Sequence, residues 1–291
     1  MNYIIKNDKI TVTISQKGGE ILSIKGADQT EYLWQGDPTY WAGRAPHLFP
    51  FVGRLTNGMY RMDGVEHPLA LHGFFRNKEM NFVHQMDTSL TLSMKDDEET
   101  HKEYDRTWEV QLTYKIEEAT LFISFKVINL DSRTMYFGYG GHPGFNVPLS
   151  DQLQFEDYYL EFETLCHPVS IGMSPNRYLQ GAHIPIDLID DKYLPLCHEL
   201  FDEDAIVLRN MAKTVSIRSK KDTHGVTIDY PDMPYLGLWH KPKSDAPYVC
   251  IEPWVSLPSR QDIVETCEEK QVLVVLAAGK TYCYTWSINV F

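Results

Sequence analysis

Five polar positions interrupt otherwise apolar stretches of this chain, and each stands beside a turn. FPFVGRLTNGMYRMDG, residues 49–64, delivers Arg54 after a glycine, and LHGFFR, residues 71–76, holds His72. FGYGGHPGFNVP, residues 137–148, sets His142 in a loop rich in glycine and proline. LFDEDAIVL, residues 200–208, puts Asp202, Glu203 and Asp204 directly before a strand-like run, and APYVCIEPWVS, residues 246–256, carries Glu252 at the end of an apolar one. Singly, each has an ordinary reading: a packed core histidine, a solvated arginine, an acidic turn. Glu252 resists that treatment, because an acid inside VCIEPW is costly to desolvate unless it is paired or sits at a cleft.

Several chemistries lack the motifs they need. No H-x-E-x-H or H-E-x-x-H spacing presents a metal site, so no metal is expected. There is no G-x-S-x-G elbow, no Walker loop and no G-x-G-x-x-G opening a helix. What remains is acid–base chemistry without a cofactor, for which His and Glu are a natural pair. Phe74, Phe75, Phe145, Trp239 and Trp254 lie beside the polar residues in sequence. Apolar faces rimmed by hydrogen-bonding groups suit a sugar ring, whose C–H face is apolar and whose edge is hydroxyl.

The elements that would position these residues read as strands. KITVTIS, SLTLSMK, TWEVQLTYKI, TLFISFKVIN, YYLEFET, AIVLRN, TVSIRSK, GVTIDY, YVCIEP, QVLVVLA and TYCYTWSINVF alternate or concentrate β-branched and aromatic residues. Short polar turns join several of them, as at 117–119, and a charged loop is expected at 95–106. Amphipathic helices of any length are missing; the best short candidates are residues 185–190 and 198–204. The pattern predicts an all-β protein, a large antiparallel β-sandwich with few short helices, formed by residues 1–291 as one domain.

Bulk properties agree with a globular protein. The chain has 291 residues, 43% of them hydrophobic, and a formal charge of −13. Chains of this size bury roughly three quarters of their unfolded surface, so a large core is available. The acidic balance, with pI near 5.3, argues against a nucleic-acid partner. Residues 1–10 lack the apolar core of a signal peptide, and no window approaches the ~20 apolar residues of a membrane span. Five scattered cysteines with no C-x-x-C pair suit a reducing compartment. A soluble, cytoplasmic protein is expected.

Taken in order, GGEILSIK, FPFVGRLTNGMYRMDG, LHGFFRNKEM, GGHPGFNVP, DEDAIVL, LGLWHKP and YVCIEPW resemble the aldose 1-epimerase (galactose mutarotase) family, most closely its LacX-like branch, over nearly the whole chain. The resemblance implies the galactose mutarotase-like supersandwich and interconversion of the α and β anomers of a monosaccharide without cofactor. It implies Glu252 as base and His142 as acid, with Arg54, His72 and Asp204 binding sugar hydroxyls and Trp239 stacking on the ring. Asp202 and Glu203 compete with Asp204 for the role of sugar-binding carboxylate. Glu252 is then expected to be ionised and His142 protonated. Three departures surround the implied pocket. Pro143 follows the second histidine where relatives have serine, Phe74 fills the place of a glycine, and the aspartate is not followed by His-Asn. Phe74 is therefore expected to contact substrate. Two other readings stay open: a non-catalytic carbohydrate-binding or sugar-sensing protein, and a glycosidase using Glu252 with Asp204.

Overall fold

A computed structural model describes residues 1–291. Its strands form a nine-stranded and an eight-stranded antiparallel sheet, with a three-stranded sheet at the N-terminus and two small two-stranded ones. Ser89–Lys95, Trp108–Glu117, Thr120–Asn129 and Thr281–Val290 lie side by side in the nine-stranded sheet. Their order follows from local chemistry. Thr120 pairs with Glu117 across a two-residue hairpin, and Glu118 adopts φ 50°, the positive φ that tight hairpin turns require. Trp108, Val110, Leu112, Tyr114 and Ile116 bury one face of their strand while the intervening residues stay partly exposed. This period-two alternation is what a half-buried strand needs.

The eight-stranded sheet carries the polar motifs. Tyr248–Trp254 is central, flanked on one side by Tyr235–Trp239 and then Ile206–Arg209, and on the other by Gly140–Gly141 and His47–Leu48. Alternation sorts its side chains. Val249, Ile251, Leu236, Leu238 and Leu208 enter the 65-residue core shared with the nine-stranded sheet. Cys250, Glu252, Trp254, Gly237, Trp239 and Val207 take the opposite face, where Trp254 and Val207 belong to a smaller apolar cluster. A one-residue slip of the central strand would bury Glu252 in the main core.

Helical structure departs from the sequence reading in detail. The one α-helix, Glu98–Glu103, lies inside the charged segment expected to be a loop. Asp97 nucleates it by accepting from the Glu99 and Thr100 amides, while the Thr100 hydroxyl accepts from the Asp97 amide. Residues 185–190 are not helical. Ile184–Pro185 is a short strand paired with Val169–Ser170. At 198–204 only His198–Phe201 forms a 3-10 turn. No helix is long and apolar enough to cross a membrane.

Candidate functional site

Glu252 reaches the surface of the eight-stranded sheet in register with Gly237 on the neighbouring strand. A Cβ at Gly237 would stand 3.0 Å from the Trp254 ring and 3.2 Å from Glu252 Cβ, so glycine there leaves the carboxyl its room. His142 follows Gly140–Gly141 on the other side, and its amide donates to the Pro46 carbonyl at 3.1 Å. His142 Nε2 lies 3.3 Å from Glu252 Oε2. The contact is not aligned as a hydrogen bond, and both Glu252 Oε2 and His142 Nδ1 are buried without a partner. Unpaired buried polar atoms cost about 1–3 kcal/mol each, and such exceptions call for a role.

Aromatic rings fix the imidazole. Trp41 stacks on His142 at 4.8 Å between centroids, and Trp239 meets it edge-on at 5.7 Å. His72 meets the same ring edge-on at 5.8 Å. His72 has φ 65° and Gly73 φ 73°, the left-handed region that non-glycine residues seldom enter. The turn is closed reciprocally: the His72 amide donates to the Gly53 carbonyl, and the Gly53 amide donates to His72 Nδ1, both at 3.1 Å. Nδ1 being an acceptor, the neutral ring carries its proton on Nε2. A side chain at Gly73 is excluded, since its Cβ would stand 2.2 Å from the Phe49 carbonyl oxygen.

Arg54, His72, His142, Asp204, Trp239 and Glu252 line one cleft. Among the three neighbouring acids, Asp204 alone lines it; Glu203 faces an adjacent depression. Asp204 has φ 75° and accepts from the Ala205 amide at 2.9 Å. Phe74 does not belong to this site. It is 3% exposed, stacks on Trp108 at 5.9 Å and meets Phe49 edge-on, so it packs into the main core. The turn at His72–Gly73 sends His72 to the cleft and the next side chain inward, which reverses the expectation of a substrate contact.

Burial also overturns the expected charge states. Desolvation pushes the Glu252 carboxyl well above its usual range, and the charge of Asp204 pushes in the same direction. Desolvation pushes His142 down to about 3 and holds His72 well below its ordinary value. Burial thus favours a neutral carboxylic acid beside a neutral imidazole, with one transferable proton between them. His142, Cys250 and Glu252 each place a ligand-capable atom within 4.8 Å of the others. Burial drives the Cys250 thiol far up.

Arg177, Trp254, Met173 and Leu71 also line the cleft, and Trp41 backs His142, without having been singled out as site residues. Arg177 and Trp41 sit in segments with no strand pattern, where sequence carries no directional signal. Trp254 had one, standing two residues after Glu252 and therefore on the same face.

Comparisons with known proteins bear on the family and the fold. The family model described as aldose 1-epimerase matches residues 1–287. The plasmid and chromosomal LacX proteins of Lactococcus lactis subsp. lactis are 36% and 35% identical in alignments covering 98% of this chain and 99% of each relative. A galactose mutarotase related enzyme from Lactobacillus acidophilus, 34% identical, superposes with TM-score 0.94 over 100% of this chain and 97% of that one. A galactose mutarotase-like protein from Lactobacillus casei, 30% identical, also has TM-score 0.94 with both chains fully covered. With a sandwich of two broad sheets, a cleft on the face of one of them and relatives of this similarity along its length, the chain belongs to the aldose 1-epimerase family.

Proposed function

We propose that this protein interconverts the α and β anomers of an aldose by general acid–base ring opening without a cofactor, residues 1–291 acting as one β-sandwich domain. The observation that carries the reading is the Glu252–His142 pair. Its two groups approach to 3.3 Å and are buried, and Glu252 Oε2 and His142 Nδ1 have no hydrogen-bond partner. The anomeric hydroxyl and the ring oxygen share one carbon, so the acid and base that act on them must be neighbours.

Glu252 removes the hydroxyl proton, the bond from the anomeric carbon to the ring oxygen breaks, and His142 protonates that oxygen. Rotation about the adjacent carbon–carbon bond and closure with the roles reversed gives the other anomer. Ring opening leaves Glu252 protonated and His142 neutral, the states that burial favours. Desolvation therefore promotes opening. In exchange, loading a closed ring requires the shared proton to pass from the carboxyl to His142 as the sugar hydroxyl bonds to Glu252. His72 Nε2–H and Arg54 would donate to ring and hydroxyl oxygens, Asp204 would accept from a hydroxyl, and Trp239 would cover the sugar face. Five unpaired cysteines fit a reducing compartment, and we place the activity in the cytoplasm.

Polarimetry or NMR exchange with galactose, glucose and other aldoses tests the reading. Acceleration is expected, with Glu252→Gln and His142→Asn each slowing kcat by about 10²–10⁴-fold. Failure to accelerate any aldose, or full activity in either variant, would overturn it; saturable binding without acceleration would instead assign a sugar-binding protein.

A further inference from the structure

Cys250 lies against the catalytic pair, and the proposed reaction gives it no part. It is fully buried and alternates onto the same strand face as Glu252. It stands in register with Trp239 on one side and Gly144 on the other. A Cβ at Gly144 would stand 3.4 Å from the thiol sulfur and 3.1 Å from the Trp41 ring, so glycine there leaves the thiol its space. The result is one point with Cys250 Sγ, His142 and Glu252 around it, a ligand-capable atom of each within 4.8 Å of the others.

The spacing of the pair matches an edge of a zinc tetrahedron. Zinc bonds of about 2.0–2.1 Å to nitrogen and about 2.0–2.2 Å to oxygen hold those two atoms about 3.3–3.5 Å apart. His142 Nε2 and Glu252 Oε2 are 3.3 Å apart, and Oε2 is buried with no hydrogen-bond partner. Sγ belongs about 3.6 Å from each, so it moves by about an ångström. One thiolate, one imidazole and one carboxylate form a borderline-soft set that suits Zn²⁺, whereas Mg²⁺ and Ca²⁺ take oxygen ligands. Glu252 and His142 line the cleft, which gives the ion an entrance and leaves its fourth position open to water. Asp204 adds a negative charge close enough to act on Glu252, which favours a cation. The ligands come from Cys-x-Glu on one strand and a histidine following its neighbour, an arrangement that no H-E-x-x-H spacing announces.

We propose that His142, Cys250 and Glu252 form an inhibitory zinc site, in which the ion withdraws the acid–base pair from sugar chemistry. Binding breaks the S–H bond of Cys250, since a coordinating thiol is deprotonated, and expels the proton that Glu252 and His142 share. Two protons pass to solvent as Zn–S, Zn–O and Zn–N bonds form, and no electron is transferred. The inhibitory role rests on the anomerase reading, whereas metal ligation does not.

The test uses the whole chain, reduced and freed of metal, with zinc chloride and with cobalt chloride as a coloured stand-in. Cobalt should bind one-to-one with a thiolate-to-metal charge-transfer band in the near ultraviolet, and zinc should displace it. Cys250→Ser and Cys250→Ala should lose the band. Both should keep anomerase activity close to wild type while the zinc concentration for half-inhibition rises at least about 100-fold, the upper end of what loss of an outer-shell partner costs. A chelator should restore the zinc-treated wild type, and magnesium chloride should not inhibit it. Equal zinc inhibition of wild type and both Cys250 variants, or a wild type with no thiolate band, overturns the site while the proposed activity stands. If no sugar is anomerised, cobalt spectra and zinc calorimetry decide. One-to-one binding lost in the Cys250 variants and weakened in Glu252→Gln upholds the site, and binding that these changes leave unaltered overturns it.

Discussion

Glu252 and His142 carry one proton between them, and this governs how the protein responds to pH. Two groups this close titrate as a unit. The neutral pair and the ion pair hold the same number of protons, so both persist over the same pH range. A second proton enters only as pH falls toward the depressed value of His142, about 3. The shared proton leaves only when pH rises past the elevated value of Glu252. We therefore expect kcat/KM, corrected for spontaneous mutarotation, to run flat through the ordinary histidine value of ~6.5. A step centred there would contradict this assignment of the pair. That Glu252 had to be paired or at a cleft was legible from VCIEPW, because burying a charge is costly in any fold. The proton's preferred location was not, since it depends on how completely Trp41, Trp239 and the sheet exclude water from both groups.

At the level of elements, the cleft is held by turns rather than by the strands that floor it. The segment at 258–261 ties the Arg54 and Arg177 loops together, and Lys270 Nζ donates to the Pro258 carbonyl at 2.8 Å within it. Lys270 also pairs with Glu265 at 2.5 Å, and Arg260 Nε donates to the same carboxylate at 2.9 Å. Removing one partner of a buried pair costs about 3–5 kcal/mol; Lys270→Met should fall near 3 because Arg260 remains. Chemical denaturation would measure that loss, and a rise in KM should accompany it as the loops loosen. A Lys270→Met protein of wild-type stability would show that the brace carries no load. Phe74 gives a second check. As a core side chain stacked on Trp108, its replacement by alanine should cost about 3–5 kcal/mol of stability and leave the order of preference among aldoses unchanged. A reordered preference with intact stability would return Phe74 to the cleft. H-G-F invited a pocket reading because Phe74 fills the place of a glycine in the family resemblance, but a positive φ at His72 and Gly73 decides where the next side chain goes, and φ is not written in the residue type.

For the molecule as a whole, burial of histidine links the sandwich to acid stability. His47 is 1% exposed between the sheets, 2.7 Å from the Tyr114 hydroxyl and 3.1 Å from that of Tyr139. Desolvation pushes its pKa down to about 3, whereas the unfolded chain protonates near 6.5. The unfolded state then binds more protons between these values, so stability is fully present above ~6.5 and declines as pH falls toward 3. One pH unit below the free value the expected loss is about 1.4 kcal/mol from His47 alone. Urea midpoints measured from pH 7.5 to 5 should decrease, and His47→Gln should flatten that dependence; an unchanged slope in the variant would remove His47 from the account.

The sequence by itself determined the all-β architecture, because period-two alternation in runs such as TWEVQLTYKI and TLFISFKVIN needs no distant information to specify a strand and its buried face. It also brought Arg54, His72, His142, Asp204 and Glu252 under consideration, since each interrupts an apolar stretch, and Trp239 as an aromatic residue near them in sequence. Only the tertiary structure decided that these six share a cleft, that Phe74 leaves it and that Arg177 enters it. Those outcomes depend on strand order across the eight-stranded sheet and on left-handed turns at His72, Arg177 and Asp204. Both are set by contacts between segments far apart in the chain, where no residue's type reveals its partner.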